Sequence, residues 1–348
     1  QNNINFKRLV MTVNKVSLND RFNLEKKIVI ASGTQALVRL MLNQAARDKI
    51  DGINSAGLVT GYRGSPLGGV DATFTKAENF LKKNNIKFQY GLNEDLAATA
   101  IWGSQQTELR NEGKYDGVFG LWYGKGPGVD RCGDVFRHSN LAGTSKYGGV
   151  LVAMGDDHSA ESSTELHQSE YALVDAMMPI LSPAGVQDIL DFGIKGWALS
   201  RYSGLWVGIK CLKDTIEVTE VVDAAYDRIK IVDPQDKDHE ELNIRLGDTP
   251  PAREDRLHNK KLRAAKIFAR ANKLDKVDYS PTEKKIGIIS AGKSWLDTVH
   301  ALSLLGIDRE EAEKYKLTTL KLGMVWPIDD GFVKDWADGL DKILVVEE

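Results

Sequence analysis

The sequence has very few cysteines. Cys132 and Cys211 are the only two among 348 residues, and they form no Cys-x-x-Cys pair. A zinc site built mainly from cysteines and a cysteine-ligated iron–sulfur cluster are therefore excluded within this chain. Sparse, unpaired cysteine usage is typical of a reducing compartment, so we predict a cytoplasmic protein.

The sequence also lacks an excess of charge of either sign and any long apolar run. The 46 basic and 49 acidic residues give a formal net charge of -3, which offers no general footprint for nucleic acid. The longest apolar runs, such as 149–154 and 342–346, have the length of a strand and not of a membrane span. The 42% of hydrophobic residues nevertheless suffices for a buried core.

Strands and helices alternate along the first part of the chain. The predicted strands are almost entirely apolar, a pattern typical of a parallel sheet that helices cover on both faces. They span residues 27–31, 56–62, 88–91, 117–123, 149–155, 180–181 and 206–211. The spacing predicts helices over 35–47, 169–178 and 185–200, and others that begin at Asn93 and after Gly128. We therefore predict an α/β fold with a parallel sheet.

The composition changes after residue 220. Residues 221–283 are dense in charge, but helical spacing over 255–273 predicts a partly helical linker and not disorder. A smaller α/β unit follows over 284–348, with strands at 286–290, 317–322 and 342–346 and helices at 295–305 and 329–339. Because the chain stops in a strand, we expect it to be a fragment of a longer polypeptide.

A glycine-rich loop, GYRGSPLGG at 61–69, follows the second predicted strand. Ligands of open α/β sheets bind at the carboxyl ends of strands, where glycine lets the backbone approach closely. Arg63 could pair there with a carboxylate or phosphate. The alternative is a tight turn held by glycine and proline, with Arg63 solvated.

Asn93-Glu94-Asp95 opens a predicted helix. One interpretation is structural: Asn93 caps the helix, and the two acids favour its dipole. The other is functional, because Leu92, Leu96, Ala97 and Ala98 surround Glu94 with apolar groups. A carboxyl group buried among such neighbours has a raised pKa and can donate a proton.

Two further loops concentrate polar groups. The first follows the strand 117–123 and carries Lys125 and Arg131, but its GKGPG turn lacks the spacing of a dinucleotide site. The second, GDDHSAESS at 155–163, holds acids and a histidine that could imitate a metal site. Since no second ligand group stands at a fixed spacing, we favour a hydrogen-bonded loop and assign no metal ligand.

Residues 287–294, GIISAGKS, match the phosphate-loop pattern GxxxxGKS literally. A phosphate loop needs its central residues to wrap around phosphates, whereas Ile288 and Ile289 are typical strand residues. An ATP-binding protein stays the alternative of a different class. Loss of nucleotide binding in a Lys293→Ala variant would favour it.

Five segments together resemble one family. They read GYRGSPLGGVD (61–71), GLNEDLAATAIWGSQQ (91–106), WYGKGPGVDRCGDVFRH (122–138), GDDHSAESS (155–163) and SRYSGLWVGIKC (200–211). They are similar to the amino-terminal part of the indolepyruvate ferredoxin oxidoreductase-type 2-oxoacid oxidoreductases, in particular the long fused form of proteobacteria. The resemblance implies a thiamine diphosphate pyrimidine-binding domain over 18–220, a linker over 221–283 and a transketolase-C-terminal-like α/β domain over 284–348, truncated here.

The resemblance also implies roles for individual residues. Glu94 matches the glutamate that holds the aminopyrimidine ring of thiamine diphosphate and assists removal of the thiazolium proton. Gly64 and Pro66 join it as expected cofactor contacts. Ser65 stands where related enzymes have a threonine that faces the substrate. Further expected substrate contacts, as partners of a carboxylate, are Arg63, Lys125 and Arg131.

The activity that the resemblance implies is oxidative decarboxylation of 2-oxo acids, with aryl-pyruvates such as indolepyruvate as the expected substrates. Coenzyme A would take the acyl group, and ferredoxin the electrons. The GDG…Asn motif for diphosphate and Mg²⁺ and the cysteines for 4Fe-4S clusters are absent from this sequence. We therefore expect those groups in the rest of a homodimeric enzyme, and this portion to be inactive alone. A non-catalytic assembly subunit with the same fold is the further alternative.

Overall fold

The computed structural model describes residues 16–162, 164–236 and 240–347. The strands are β1 (Ile28–Ser32), β2 (Ser55–Gly61), β3 (Ile86–Tyr90), β4 (Gly117–Lys125), β5 (Val150–Asp156), β6 (Ile180–Leu181), β7 (Val207–Leu212), β8 (Thr219–Asp223), β9 (Lys276–Val277), β10 (Ile286–Ala291), β11 (Leu317–Leu322), β12 (Met324–Trp326) and β13 (Lys342–Val346). The helices are α1 (Gly33–Ile50), α2 (Val70–Lys76), α3 (Glu78–Lys83), α4 (Glu94–Ser104), α5 (Gly126–Arg131), α6 (Gly133–Ala142), α7 (Glu170–Asp175), α8 (Val186–Ser203), α9 (Lys213–Ile216), α10 (Pro250–Asp255), α11 (Leu262–Ala271), α12 (Gly292–Leu304), α13 (Arg309–Tyr315) and α14 (Asp330–Ala337), with a 3₁₀ turn at Asp20–Phe22 and a π turn at Arg256–Lys261.

A seven-stranded sheet in the order β12-β6-β7-β5-β4-β2-β3 forms the centre of the larger unit. All its neighbouring strands are parallel except β12, which runs antiparallel to β6. The predicted α/β fold with a parallel sheet is confirmed. No helix in the part of the chain that the structure describes is long and apolar enough to cross a membrane.

The central strand β5 shows why the strands are continuous apolar runs. Every one of its residues is buried. Leu151 and Ala153 pack on one face in a core with α1 and α8, whereas Val152 and Met154 pack on the other with α4 and α6. A strand covered on both faces needs apolar side chains at successive positions and cannot alternate apolar with polar ones.

The first predicted strand does not join this sheet. β1 pairs antiparallel with β8 in a separate two-stranded ribbon. Its burial alternates, with Val29 and Ala31 inside and Ile28 and Ile30 exposed, as in a ribbon that covers a core with one face only. The prediction of a strand was correct, but its inclusion among the parallel strands was wrong, since four apolar residues do not reveal which strand they pair with.

The smaller sheet has the order β13-β10-β11-β9, in which β10 is parallel to β11 and β13. Strand β12 leaves this unit immediately after β11 and extends the edge of the large sheet. The buried carboxylate of Asp275 fixes the crossing, because it accepts hydrogen bonds from the backbone of Gly323 (2.7 Å) and Met324 (3.0 Å). Burial raises the pKa of Asp275 to about 6. The two sheets are thus linked by the short connection between β11 of the smaller sheet and β12 of the larger one.

Candidate functional site

The strand order creates a crevice beside β2. The chain goes from β2 to β3 on one side, then returns to β4 on the other side, and all three strands are parallel. The carboxyl ends of β2 and β4 therefore border a topological switch point, where ligands of open α/β sheets bind. Hydrogen bonds from the backbone of Tyr62 to Tyr123 (3.0 Å) and from Gly91 to Gly61 (3.1 Å) fasten the loops at this edge.

The glycine-rich loop and Lys125 meet in a small cavity of about 90 Å³. Its lining residues include Ser65, Lys125 and His167. The stem of Lys125 lies across Gly64, where an added methyl group would come within 2.7 Å of Cδ. Pro66 is buried, and it packs against Gly155 of β5. The structure thus brings four of the expected site residues together, and Gly64 is needed because a side chain there would displace Lys125.

The two expected arginines do not line this cavity. Arg63 is exposed on the loop after β2. Nε of Arg131 lies 2.9 Å from Oδ1 of Asp95, so this guanidinium links the end of α5 to the start of α4. The side chains of Arg131 and Asp95 are 54% and 42% exposed. Arg131 is accordingly placed as a surface partner of Asp95.

Glu94 is the first residue of α4, and the Asn93 side chain caps the helix by accepting a hydrogen bond from the backbone N–H of Leu96 at 2.9 Å. The Trp122 indole N–H donates to the Glu94 backbone carbonyl at 3.0 Å. The residue is only 9% exposed. Within the described residues, every hydrogen bond of Glu94 uses its backbone atoms. Its carboxylate is therefore a buried group whose oxygens remain available to a ligand.

Gly128 of α5 lies directly against this carboxylate. A methyl group added at Gly128 would be 2.6 Å from Cγ and 2.9 Å from Oε1 of Glu94. The expected apolar surroundings are present only in part, because Ala97 and Ala98 are buried whereas Leu92 is 85% and Leu96 51% exposed. Trp122 of β4 and Gly128 of α5 thus contact Glu94, whereas the side chains of Leu92 and Leu96 beside it are exposed.

His167 was missed at the sequence level. Its Nε2 lies 2.9 Å from Oδ2 of Asp130, and its Nδ1 lies 3.5 Å from Oδ1 of the fully buried Asp156. The Asp156 carboxylate beside Nδ1, opposed by burial and supported by Asp130, raises the pKa of His167 to about 9. The histidine is then an imidazolium held between two carboxylates in the wall of the cavity. Only residues 155–163 of this loop stand out in the sequence, and Asp130 lies 37 positions from His167 in the chain.

The acids of the loop after β5 have other partners than a metal. Burial works against ionisation of Asp156, but the adjacent His167 imidazole and hydrogen bonds from the Ser169 hydroxyl and backbone N–H hold the pKa of its carboxyl below the usual range. Asp157 accepts hydrogen bonds from the hydroxyls of Ser159 and Ser162. Across the described residues, no group of three His, Cys, Asp or Glu side chains could hold a metal ion.

The GxxxxGKS segment does not form a phosphate loop. Residues 286–291 form strand β10, and α12 begins at the next residue, Gly292. No loop is therefore left between strand and helix to wrap around phosphates. The ammonium of Lys293 lies 2.5 Å from Oδ2 of Asp297, one helical turn along α12.

Comparison with known proteins confirms the resemblance seen in the sequence. The Indolepyruvate oxidoreductase domain family matches residues 276–348. Indolepyruvate oxidoreductase subunit IorA of Methanothermobacter marburgensis is 25% identical over 92% of this chain and 48% of its own length. The subunit of the same name from Pyrococcus horikoshii is 25% identical over 92% of this chain and 45% of its own length. The chain spans about half the length of the curated relatives it matches.

A solved structure shows the same fold. The 2-oxoglutarate:ferredoxin oxidoreductase from Magnetococcus marinus, solved with 2-oxoglutarate, coenzyme A and succinyl-CoA bound, superposes with a TM-score of 0.64 at 15% identity. The match covers 92% of this chain and 57% of that one. At 15% identity the likeness concerns the fold alone. Because the match covers 92% of this chain, it includes both sheets.

Proposed function

We propose that this chain is the pyrimidine-binding portion of a thiamine diphosphate-dependent 2-oxoacid oxidoreductase. The observation that carries the proposal is Glu94, a buried carboxylate with no side-chain hydrogen bond among the described residues, at the start of a helix beside a switch point. The curated relatives, which are named indolepyruvate oxidoreductase subunits, support the reaction class. On this basis we assign the pyrimidine-binding domain to 18–220, the linker to 221–283 and the transketolase-C-like domain to 284–348.

The residues present fit the aminopyrimidine half of the cofactor. Glu94 can hold or share a proton with a ring nitrogen, and Gly128 keeps the space beside its carboxylate free of a side chain. When bound, thiamine diphosphate supplies the carbon nucleophile for the 2-oxo group and accommodates the electrons released on decarboxylation. The role of this chain is to hold one carboxylate at the position of that ring nitrogen, on a residue that the helix start and Trp122 fix in place.

The cavity beneath Lys125 is the proposed position of the substrate carboxylate. Lys125 supplies a positive charge and Ser65 a hydroxyl, and both line the cavity. Gly64 leaves room for the stem of Lys125 and Pro66 packs against Gly155 of the cavity wall, whereas Arg63 and Arg131 are weaker candidates because they lie outside the cavity. The names of the relatives favour an aryl-pyruvate, such as indolepyruvate, as the 2-oxo acid.

Leu92 and Leu96 support a site completed by a second polypeptide surface. They are exposed beside the buried Glu94, and covering them would exclude water from its carboxylate. We propose that the diphosphate and Mg²⁺ site, the 4Fe-4S clusters and the binding of coenzyme A and ferredoxin belong to the remainder of a homodimeric, cytoplasmic enzyme. The cover over the two leucines would come from that remainder or from the second protomer.

The test is replacement of Glu94 by Gln in the complete enzyme. We expect turnover of indolepyruvate to fall by about 100-fold or more, the usual range for loss of a positioned acid–base group. Asp95→Asn is the matched control, since it changes the adjacent acid, which pairs with Arg131 at the surface, and leaves Glu94 in place. Unchanged turnover in Glu94→Gln would refute the assignment and leave the assembly-subunit alternative.

A further inference from the structure

A second, larger cavity lies between the two sheets, away from Glu94. Its volume is about 410 Å³. The ends of β6 and β7 border it on one side, and the first turn of α12 borders it on the other. Val174, Ile180 and Val325 give it apolar walls, and Tyr171 and Trp326 add aromatic ones. Because both parallel sheets turn the carboxyl ends of their strands toward it, it occupies the edge where α/β folds bind ligands.

Two largely buried serines, Ser182 and Ser294, line this cavity, and the hydrogen bonds described for them use backbone atoms only. Ser182 follows β6 and Ser294 is in the first turn of α12, and each is only 5% exposed. The hydrogen bond described for Ser182 runs from its backbone to Gly323, and that of Ser294 uses its backbone carbonyl. Both hydroxyls belong to residues that line the same cavity, so each can donate a hydrogen bond to one polar ligand bound there.

The first turn of α12 adds unsatisfied N–H donors at the same place. This 13-residue helix begins after Ala291 with no side-chain cap. Gly292 has a positive φ of 51°, and a methyl group on it would lie 2.7 Å from Oγ of Ser182, so the helix start and this hydroxyl are in close contact. Uncapped N–H groups with the positive end of the helix dipole form a site for an anion.

The charged groups around the cavity define the ligand further. Nζ of Lys210 lies 2.5 Å from Oε1 of Glu170, so these two charges compensate each other. Oε2 of Glu170 is buried and unpartnered, and it requires a donor such as a ligand hydroxyl. Glu347 is exposed at the margin. A ligand with an anionic group at the N-terminus of α12 and a hydroxyl group near Glu170 would satisfy both the helix N–H groups and Oε2 of Glu170.

We propose that this cavity binds a phosphate monoester, with the phosphate held by the N-terminus of α12 and the hydroxyls of Ser182 and Ser294. The GxxxxGKS segment thus contributes to an anion site through its helix start and not through a loop around phosphates. Lys293 also lines the cavity, but its ammonium pairs along the helix with Asp297, so we assign the phosphate to the backbone of this turn and not to that side chain. The site is independent of the function proposed for Glu94.

The test measures binding of two probes, inorganic phosphate and AMP, to the protein. Calorimetry gives the affinity, and the rise of the thermal unfolding midpoint gives an independent measure of binding. We expect Ser182→Ala and Ser294→Ala each to weaken binding by about ten-fold, the effect of losing a hydrogen bond to a charged group. Lys293→Ala is the matched control and should bind normally. Tighter binding of AMP than of phosphate would show a contribution from the hydroxyl-bearing part of the ligand, and equal binding would place recognition in the phosphate alone.

Three results would overturn the proposal. The first is that neither probe binds, and the second is that the double variant Ser182→Ala/Ser294→Ala binds phosphate as tightly as the wild type does. The third is a loss of affinity in Lys293→Ala as large as that in Ser294→Ala. Each serine variant keeps the backbone hydrogen bonds described for that residue, so neither should lower the unfolding midpoint without ligand. The two single variants act from different elements, and a folding defect in one therefore leaves the other as a test.

Discussion

Replacing His167 by Gln tests the electrostatics of the small cavity directly. In the folded chain the imidazolium lies between Asp156 and Asp130, and its pKa is raised to about 9 from an ordinary value of 6.5. The folded state therefore holds the proton more tightly than the unfolded state does. The resulting stabilisation is complete below about pH 6.5 and is lost as the pH rises through about 9.

The size of the effect follows from the difference between the two pKa values. Each unit is worth about 1.4 kcal/mol, so the pair of carboxylates contributes on the order of 3 kcal/mol at neutral or mildly acidic pH, as an upper limit. The 3.5 Å separation of Nδ1 from Asp156 and the 20% exposure of the His167 side chain both favour a smaller value. A decrease of about 2 kcal/mol in the free energy of unfolding for His167→Gln at about pH 6 is our expected result.

Urea unfolding at a series of pH values measures this difference, and the histidine NMR signals give the pKa of His167 itself. The gap between wild type and His167→Gln should narrow steadily between about pH 7 and pH 10. His138→Gln is the control, because this exposed histidine pairs with Asp134 across one helical turn. A gap that is independent of pH would refute the reasoning, as would a His167 signal that titrates near 6.5.

Two further predictions concern packing around buried carboxylates. Both Nη atoms of Arg201 donate hydrogen bonds to the buried Asp48, at 2.7 and 2.8 Å. Arg201→Ala should therefore lower the free energy of unfolding, measured by urea unfolding, by about 3 kcal/mol. A decrease of less than about 1 kcal/mol would contradict the stabilising role of this pair. Gly128→Ala should weaken thiamine diphosphate binding to the complete enzyme by about ten-fold or more, because its methyl group would press on Glu94. Gly133→Ala, where the added methyl group meets open space, is its control, and equal affinities in the two variants would contradict the contact.

Much of the fold and part of the site could be predicted because the signals are local. A strand buried on both faces must be an apolar run, which is why β4, β5 and β7 are visible in the sequence. The loops that follow β2 and β4 could be placed at one sheet edge, since parallel strands end on the same side. Ser65 and Lys125 meet there, whereas the carboxylate partner of Arg131 could not be read from its own segment.

What the sequence by itself determined was therefore the alternation of elements, the parallel sheet, the position of Glu94 at a helix start and the family resemblance. Only the tertiary structure decided that β1 leaves the sheet, that β12 joins it from the second unit, and that His167 lies between Asp130 and Asp156. The same is true of the cavity at α12, whose two serines are more than a hundred positions apart. Local patterns record how a segment is buried, but pairing between distant segments depends on packing geometry that no single segment contains.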